Sequence, residues 1–212
     1  MDLFIVFVVL TSVWSLRFLG VPDVGTITMV VGLALVFGLL RFRGQSAGVI
    51  GLNVLPPTRQ LLAETGRLLP WFAVAWLVGG LIGIDLYGQP QASTAVTLLP
   101  ESFFLAFLDV TLITRVLIGF GEEVVFRGFV LQRLLCLTGE EKSGKIMACA
   151  PQAVWFGALH ASQGGAGMIM TGFIGFAFAW FYLSRAERNL WPLILLHGAT
   201  DSIVLSASWL MK

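Results

Sequence analysis

Two adjacent carboxylates and an arginine stand inside a long apolar run. The stretch reads Gly119-Phe120-Gly121-Glu122-Glu123-Val124-Val125-Phe126-Arg127-Gly128-Phe129, and the run around it begins near Phe103 and continues past Leu135. On insertion scales an ionisable group at membrane depth costs about 2.5–3.5 kcal/mol, so such groups are rarely there without a task. Two further apolar stretches carry one histidine each, His160 and His197, and the chain has only those 2 histidines. The expectation is that the three stretches converge on one site.

The rest of the composition explains why such a run belongs in a bilayer. Of 212 residues 57% are hydrophobic and only 12% charged, with a mean hydropathy of +0.89. Soluble domains average about 25% charged residues, so a soluble fold of this length would lack polar groups to cover its surface. Continuous apolar runs, rather than alternating ten-residue segments, point to helices and not to a membrane barrel. The fold class expected is all-α: a polytopic helical membrane protein of about seven transmembrane helices, with one membrane-embedded domain over 1–212. A net charge of +1 gives no support to nucleic-acid binding. Cys136 and Cys149 lack metal-type spacing and read as small core residues without a function.

The spans can be placed in order. The first covers about Leu3 to Leu19, with only Asp2 before it and Arg17 at its far end, which reads as a retained span and not a signal peptide. After a Pro22-Asp23 turn the second runs from about Thr26 to Leu40. Arg41 to Arg67 is a polar loop broken by Pro56-Pro57, its end (Thr58 to Arg67) a short interfacial helix leading into a third span near Leu68 to Ile84. Asp85 to Pro100 is a polar linker, so 1–100 holds the N-terminal spans and the loop, and 101–212 the motif-bearing core. A fourth helix from Glu101 to Leu135 exceeds the roughly 30 Å hydrocarbon thickness, and must tilt, bend at Gly119 or Gly121, or break. Thr138 to Gly144 is a turn, followed by helices near Ile146 to Ala161, Met168 to Ser184 and Leu190 to Leu210, with a Gly164-Gly165 turn and a charged Arg185–Asn189 loop between them. With the Arg41–Arg67 loop in the cytoplasm, Arg133, Lys142, Lys145, Arg185 and Arg188 fall on the same side, and Arg17 and Lys212 opposite, as the positive-inside rule requires. The N-terminus is then cytoplasmic.

Helical spacing divides the polar groups into roles. Glu123 and Arg127 stand at i and i+4 and share a face, whereas Glu122 projects elsewhere. The arginine can hold one carboxylate ionised, which leaves Glu122 as the candidate general base. An ion pair that merely joins two helices is the plainer reading, but the second carboxylate would add cost without adding a bond. His160 follows Phe156 by four, and His197 precedes Asp201 by four, so Asp201 is placed to orient His197. A carboxylate base, two imidazoles and an acidic partner suit hydrolysis of a peptide bond by an activated water. A divalent metal such as zinc held by Glu122, His160 and His197 would do the same, although the HExxH spacing is absent. Asp109 and Arg115 read as pairing or cavity-facing groups, Trp71, Trp191 and Trp209 as interface anchors or core, and Gly157, Gly172, Gly175 and Gly198 as sites of close helix contact.

These residues carry a resemblance. Glu122-Glu123-Val124-Val125-Phe126-Arg127 resembles the EExxxR motif of the CPBP family, which includes the type II CAAX prenyl endopeptidases and the Abi-like membrane proteins. Phe156 to His160 matches its FxxxH motif and His197 to Asp201 its HxxxN/D motif, in the family's order. The resemblance covers about Glu101 to Leu210. It implies an intramembrane endopeptidase with a central cavity, in which Glu122 activates water with help from His160, and His197 with the Asp201 position forms the oxyanion site. Asp201 stands where eukaryotic members have Asn, which makes it either an orienter of His197 or, when protonated, a donor. The resemblance also implies a membrane-associated peptide or protein substrate, of which prenylated CAAX proteins are the family's best-known case. The family has been described both as metal-dependent and as glutamate-type. The compact chain suits a prokaryotic cell-membrane member. Two other classes compete: a non-catalytic immunity or scaffold protein of the membrane, and a proton-coupled transporter, whose matched repeats are not visible here.

Overall fold

The computed structural model describes residues 1–91, 102–108 and 117–210. Asp109 and Arg115, most of the Asp85–Pro100 linker, and Lys212 lie outside them. Among the described residues the chain is helical and without a strand. The elements are α1 (Asp2–Ser15), α2 (Val24–Phe42), α3 (Thr58–Tyr87), α4 (Phe103–Leu108), α5 (120–138), α6 (Lys142–Leu159), α7 (Gly164–Leu183) and α8 (Trp191–Leu210). Every backbone amide at membrane depth must find its partner within the segment, and helices do this.

The polar start of the third span is not a separate helix. Thr58–Tyr87 is one continuous helix through Pro70, instead of an interfacial helix followed by a span. Glu64 near its start is tied to Arg185 at 2.6 Å and also pairs with Arg67, which holds the polar front turns in line with the apolar part. The turn expected over Thr138 to Gly144 is confined to the residues between Thr138 and Lys142, and Gly164 with φ +72 opens α7. Cys149 is buried, whereas Cys136 is exposed and not the core residue expected.

Among the described residues four helical segments are long and apolar enough to cross a membrane: Asp2–Leu19, Val24–Phe42, Thr58–Tyr87 and Ala161–Leu183. About seven spans were expected. The motif residues lie on or at the end of the other long helices, α5, α6 and α8, and of these α5 is the innermost. Every residue from Gly121 to Leu131 is buried, so α5 is covered on all sides, as an innermost helix should be. Large apolar side chains of α3, such as Trp71, Trp76 and Leu81, point outward.

Small residues let the outer helices close on one another. A Cβ on Gly83 would lie 2.7 Å from the Ala166 carbonyl oxygen, and one on Gly157 would lie 2.5 Å from that of Met168. Only glycine permits these approaches of α3 and α6 to α7. Gly83→Ala is expected to force α3 off α7 and to destabilise by about 1–3 kcal/mol, read as a lowered thermal midpoint in detergent.

Charges gather at one end of the bundle. Arg43 donates to Asp2 at 2.5 Å, Arg133 to Gln45 at 3.0 Å, and Arg188 to Gln132 at 3.2 Å. Arg188 also donates to Glu140 at 2.5 Å, with Lys145 3.9 Å away. That Arg188 hydrogen bond holds the Glu140 carboxyl below its usual range. A depressed folded value stabilises above the unfolded one, near 4.5, and the benefit disappears as pH falls through the folded value. The pair is exposed and screened, so its contribution is small. Glu140→Gln should lower the melting midpoint slightly at pH 7, with the difference from wild type closing under strongly acid conditions.

Candidate active site

The site begins in α5, where the helix changes pitch. Phe120–Glu122 is α-helical, Glu123–Val130 is a π-helix, and Leu131–Thr138 is α-helical again. A π segment takes i→i+5 bonds and recurs at functional sites in otherwise α-helical rods. The helix expected from Glu101 to Leu135 includes residues 109–116, which lie outside the described ones; in the part described, the winding changes at Glu123.

Glu123 and Arg127 pair as their spacing predicts, with Nη1 3.1 Å from Oε1 and both side chains fully buried. The guanidinium lies over the Phe156 ring, 4.2 Å from its centroid, and 5.4 Å from that of Phe178. Stacking on a desolvated ring is worth roughly 2 kcal/mol and needs a planar cation. Phe156 thereby acquires its place in the site: it is the platform for Arg127, and its other neighbour is His160, with ring centroids 4.7 Å apart.

His197 joins from α8. Its Nδ1 lies 2.7 Å from Glu123 Oε1. A carboxylate held by arginine only accepts, so Nδ1 carries the proton. Its Nε2 then faces Asp201 Oδ2 at 3.4 Å and Glu122 Oε2 at 3.6 Å. Asp201 was expected to orient the ring. The geometry gives the close bond to Glu123 and leaves Asp201 on the far nitrogen. Phe178 closes the ring's other side edge-on at 6.1 Å. Nothing in the sequence distinguished Phe178 from the other aromatic residues of α7, because its importance comes only from which helix α7 packs against.

His160 sits just beyond the last residue of α6. Its Nδ1 lies 2.9 Å from the Phe156 carbonyl oxygen. A carbonyl can only accept, so Nδ1 is the protonated nitrogen and Nε2 of the neutral ring is left with its lone pair.

The seven residues singled out are thus brought together. Exposure rises across them, from Glu123 and Arg127 at 0% through Glu122 at 11% and His197 at 13% to Asp201 at 34%. The site is sealed at the ion pair and opens towards Asp201. Oε2 of Glu122 and Oε2 of Glu123 are both buried without a hydrogen-bond partner; the difference is at Glu123 Oε1, which is engaged by both Arg127 and His197, whereas Glu122 Oε2 lies 3.6 Å from His197 Nε2. The two neighbouring carboxylates therefore have different work.

A zinc site needs three or four converging donors. Among the described residues no group of three or more His, Cys, Asp and Glu side chains has an arrangement that could hold a metal ion. The expected set of Glu122, His160 and His197 does not meet that geometry.

Residues 102–203 match the model of the family described as Type II CAAX prenyl endopeptidase Rce1-like. The match covers just under half of the chain, includes all seven of the residues singled out, and supports the CPBP family. No curated relative and no solved structure matches the chain.

Removing Arg127 should be far more damaging than removing any surface charge. Arg127→Met takes the buried guanidinium away from Glu123 and leaves His197 as its one contact at Oε1, at a cost of about 3–5 kcal/mol against the ~0–1 kcal/mol of an exposed pair. Arg127→Lys keeps the charge but loses the planar stack on Phe156, so it should fall between the two. Thermal unfolding in detergent ranks the three proteins.

Proposed function

We propose that the chain is a glutamate-type intramembrane endopeptidase, cutting a peptide bond of a membrane-associated protein or peptide. The observation that carries this reading is the division between the carboxylates: Glu123 Oε1 is taken by both Arg127 and His197 in the sealed part of the site, while Glu122, 11% exposed, has no arginine and lies 3.6 Å from His197 Nε2. In the proposed mechanism Glu122 accepts a proton from a water molecule, whose oxygen attacks the scissile carbonyl carbon. His160 Nε2 accepts a hydrogen bond from the same water and so aims it. His197, ringed by Glu123, Glu122 and Asp201, serves as an imidazolium: Nδ1 donates to Glu123 and Nε2 to the developing oxyanion. Asp201 holds the outer side of that ring. Collapse of the tetrahedral intermediate breaks the C–N bond, and Glu122 returns its proton to the leaving nitrogen.

The family match supports a prenylated CAAX-type substrate as the first to test. The charged end of the bundle supports a cytoplasmic placement of Asp2, the Arg41–Arg67 loop and Arg188, and with them the N-terminus. A single membrane-embedded domain over 1–212 in a prokaryotic cell membrane is part of the same proposal.

The test is purified protein in liposomes with quenched peptides, prenylated and unprenylated. Glu122→Gln should lower turnover by about 10²–10⁴-fold, the usual worth of a general base, with the fold retained. His160→Ala should lower it less. Chelator should change nothing. Equal turnover by all three proteins refutes the protease, and activity lost to chelator and restored by zinc refutes the glutamate mechanism.

A further inference from the structure

His160 is presented by the very end of a helix, and helix ends have carbonyls without donors. The chain turns away after Leu159 into a 3₁₀ turn, Ala161–Gln163. There the Gln163 N–H goes to the His160 carbonyl at 2.9 Å. The α-helical donor for the Leu159 carbonyl is thereby spent elsewhere. That carbonyl is instead taken by a side chain 145 residues away in sequence: the indole N–H of Trp14 donates to it at 2.8 Å. Trp14 lies in the last turn of α1, half-buried, with the Arg17 guanidinium 4.9 Å from its ring centroid and Phe18 packed edge-on at 5.6 Å. Within α6 the histidine is already tied twice, through Nδ1 to Phe156 O and through its peptide N–H to Gly157 O at 2.9 Å. The ring is therefore fixed to the helix end, and the helix end is fixed to α1.

We propose that Trp14 is a positioning residue for His160, acting through the Leu159 carbonyl; the catalytic part of this inference rests on the endopeptidase reading above. Trp14 lies outside residues 102–203, so the first helix is part of the site's machinery and not only a membrane anchor. An unpaired carbonyl at membrane depth must find another donor, and the last turn of α6 would rewind to do so. His160 Nε2 would move with it, away from the water that Glu122 activates. Misplacement of this size costs rate and leaves substrate binding in place.

The experiment uses the whole chain in micelles, with histidine nitrogens labelled. With 2 histidines, the imidazole spectrum resolves each ring without turnover. Trp14→Phe keeps an aromatic body and removes the donor. The His160 nitrogen signals should shift while those of His197 stay in place, and kcat/KM should fall between about ten- and a hundred-fold through kcat, with KM little changed. Benzothienylalanine at position 14, in which sulfur replaces the indole N–H, repeats the test without altering shape and stands in should the phenylalanine variant unfold. Unmoved His160 signals overturn the proposal, and so does an equal movement of both histidines, which would mean general loosening. A wild type that cleaves no peptide refutes the protease reading alone, because the histidine spectrum needs no cleavage.

Discussion

The structure depends on one buried carboxylate. Glu123 has no water to solvate it and is held by Arg127 along its own helix and His197 from the last helix. Arg127 supplies the opposite charge, worth several kcal/mol at this depth, and His197 adds a hydrogen bond to the same oxygen. Together they fasten α5 to α8, and the stacking of Arg127 on Phe156 fastens both to α6. Three helices far apart in sequence are thus joined through one ionic centre. Its neighbour Glu122 is spared this duty by a rotation of one residue along the helix.

The rest of the fold is arranged to keep that centre dry. α3 turns large apolar side chains such as Trp71 and Trp76 outward, while α5 is buried on every side from Gly121 to Leu131. Glycines at the α3–α7 and α6–α7 crossings bring backbones close enough that little space is left between layers. The polar gradient then runs one way, from a sealed ion pair to a half-exposed Asp201. Such a gradient suits a site that must admit water and a peptide from one side only, which is the proposed activity.

Much of this was legible in the sequence because charge in an apolar run is so costly. The pairing of Glu123 with Arg127, and the separation of Glu122 from both, follow from helical spacing and were found as expected. The family motifs placed the two histidines in the same centre. Asp201 at i+4 from His197 does face it, at 3.4 Å from Nε2, but the shorter bond runs from Nδ1 to Glu123 on another helix, which no local spacing announces. The short interfacial helix expected over Thr58 to Arg67 runs on into the third span as one continuous helix, accompanied by ties from Glu64 to Arg185 and Arg67. About seven spans were read from apolar runs, and among the described residues four helical segments meet the length and hydropathy of a crossing helix.

By itself, then, the sequence determined that the chain is helical, that it lives in a bilayer, and which polar residues had to meet. These follow from transfer energies and from the 3.6-residue turn, both of which act within a few residues of chain. The tertiary structure alone decided which nitrogen of each histidine is free, that Phe156 carries Arg127, that Phe178 walls the site, and that Trp14 ties the first helix to the end of α6. Those outcomes depend on contacts between helices more than 20 residues apart, where no local preference speaks and only packing chooses the partner.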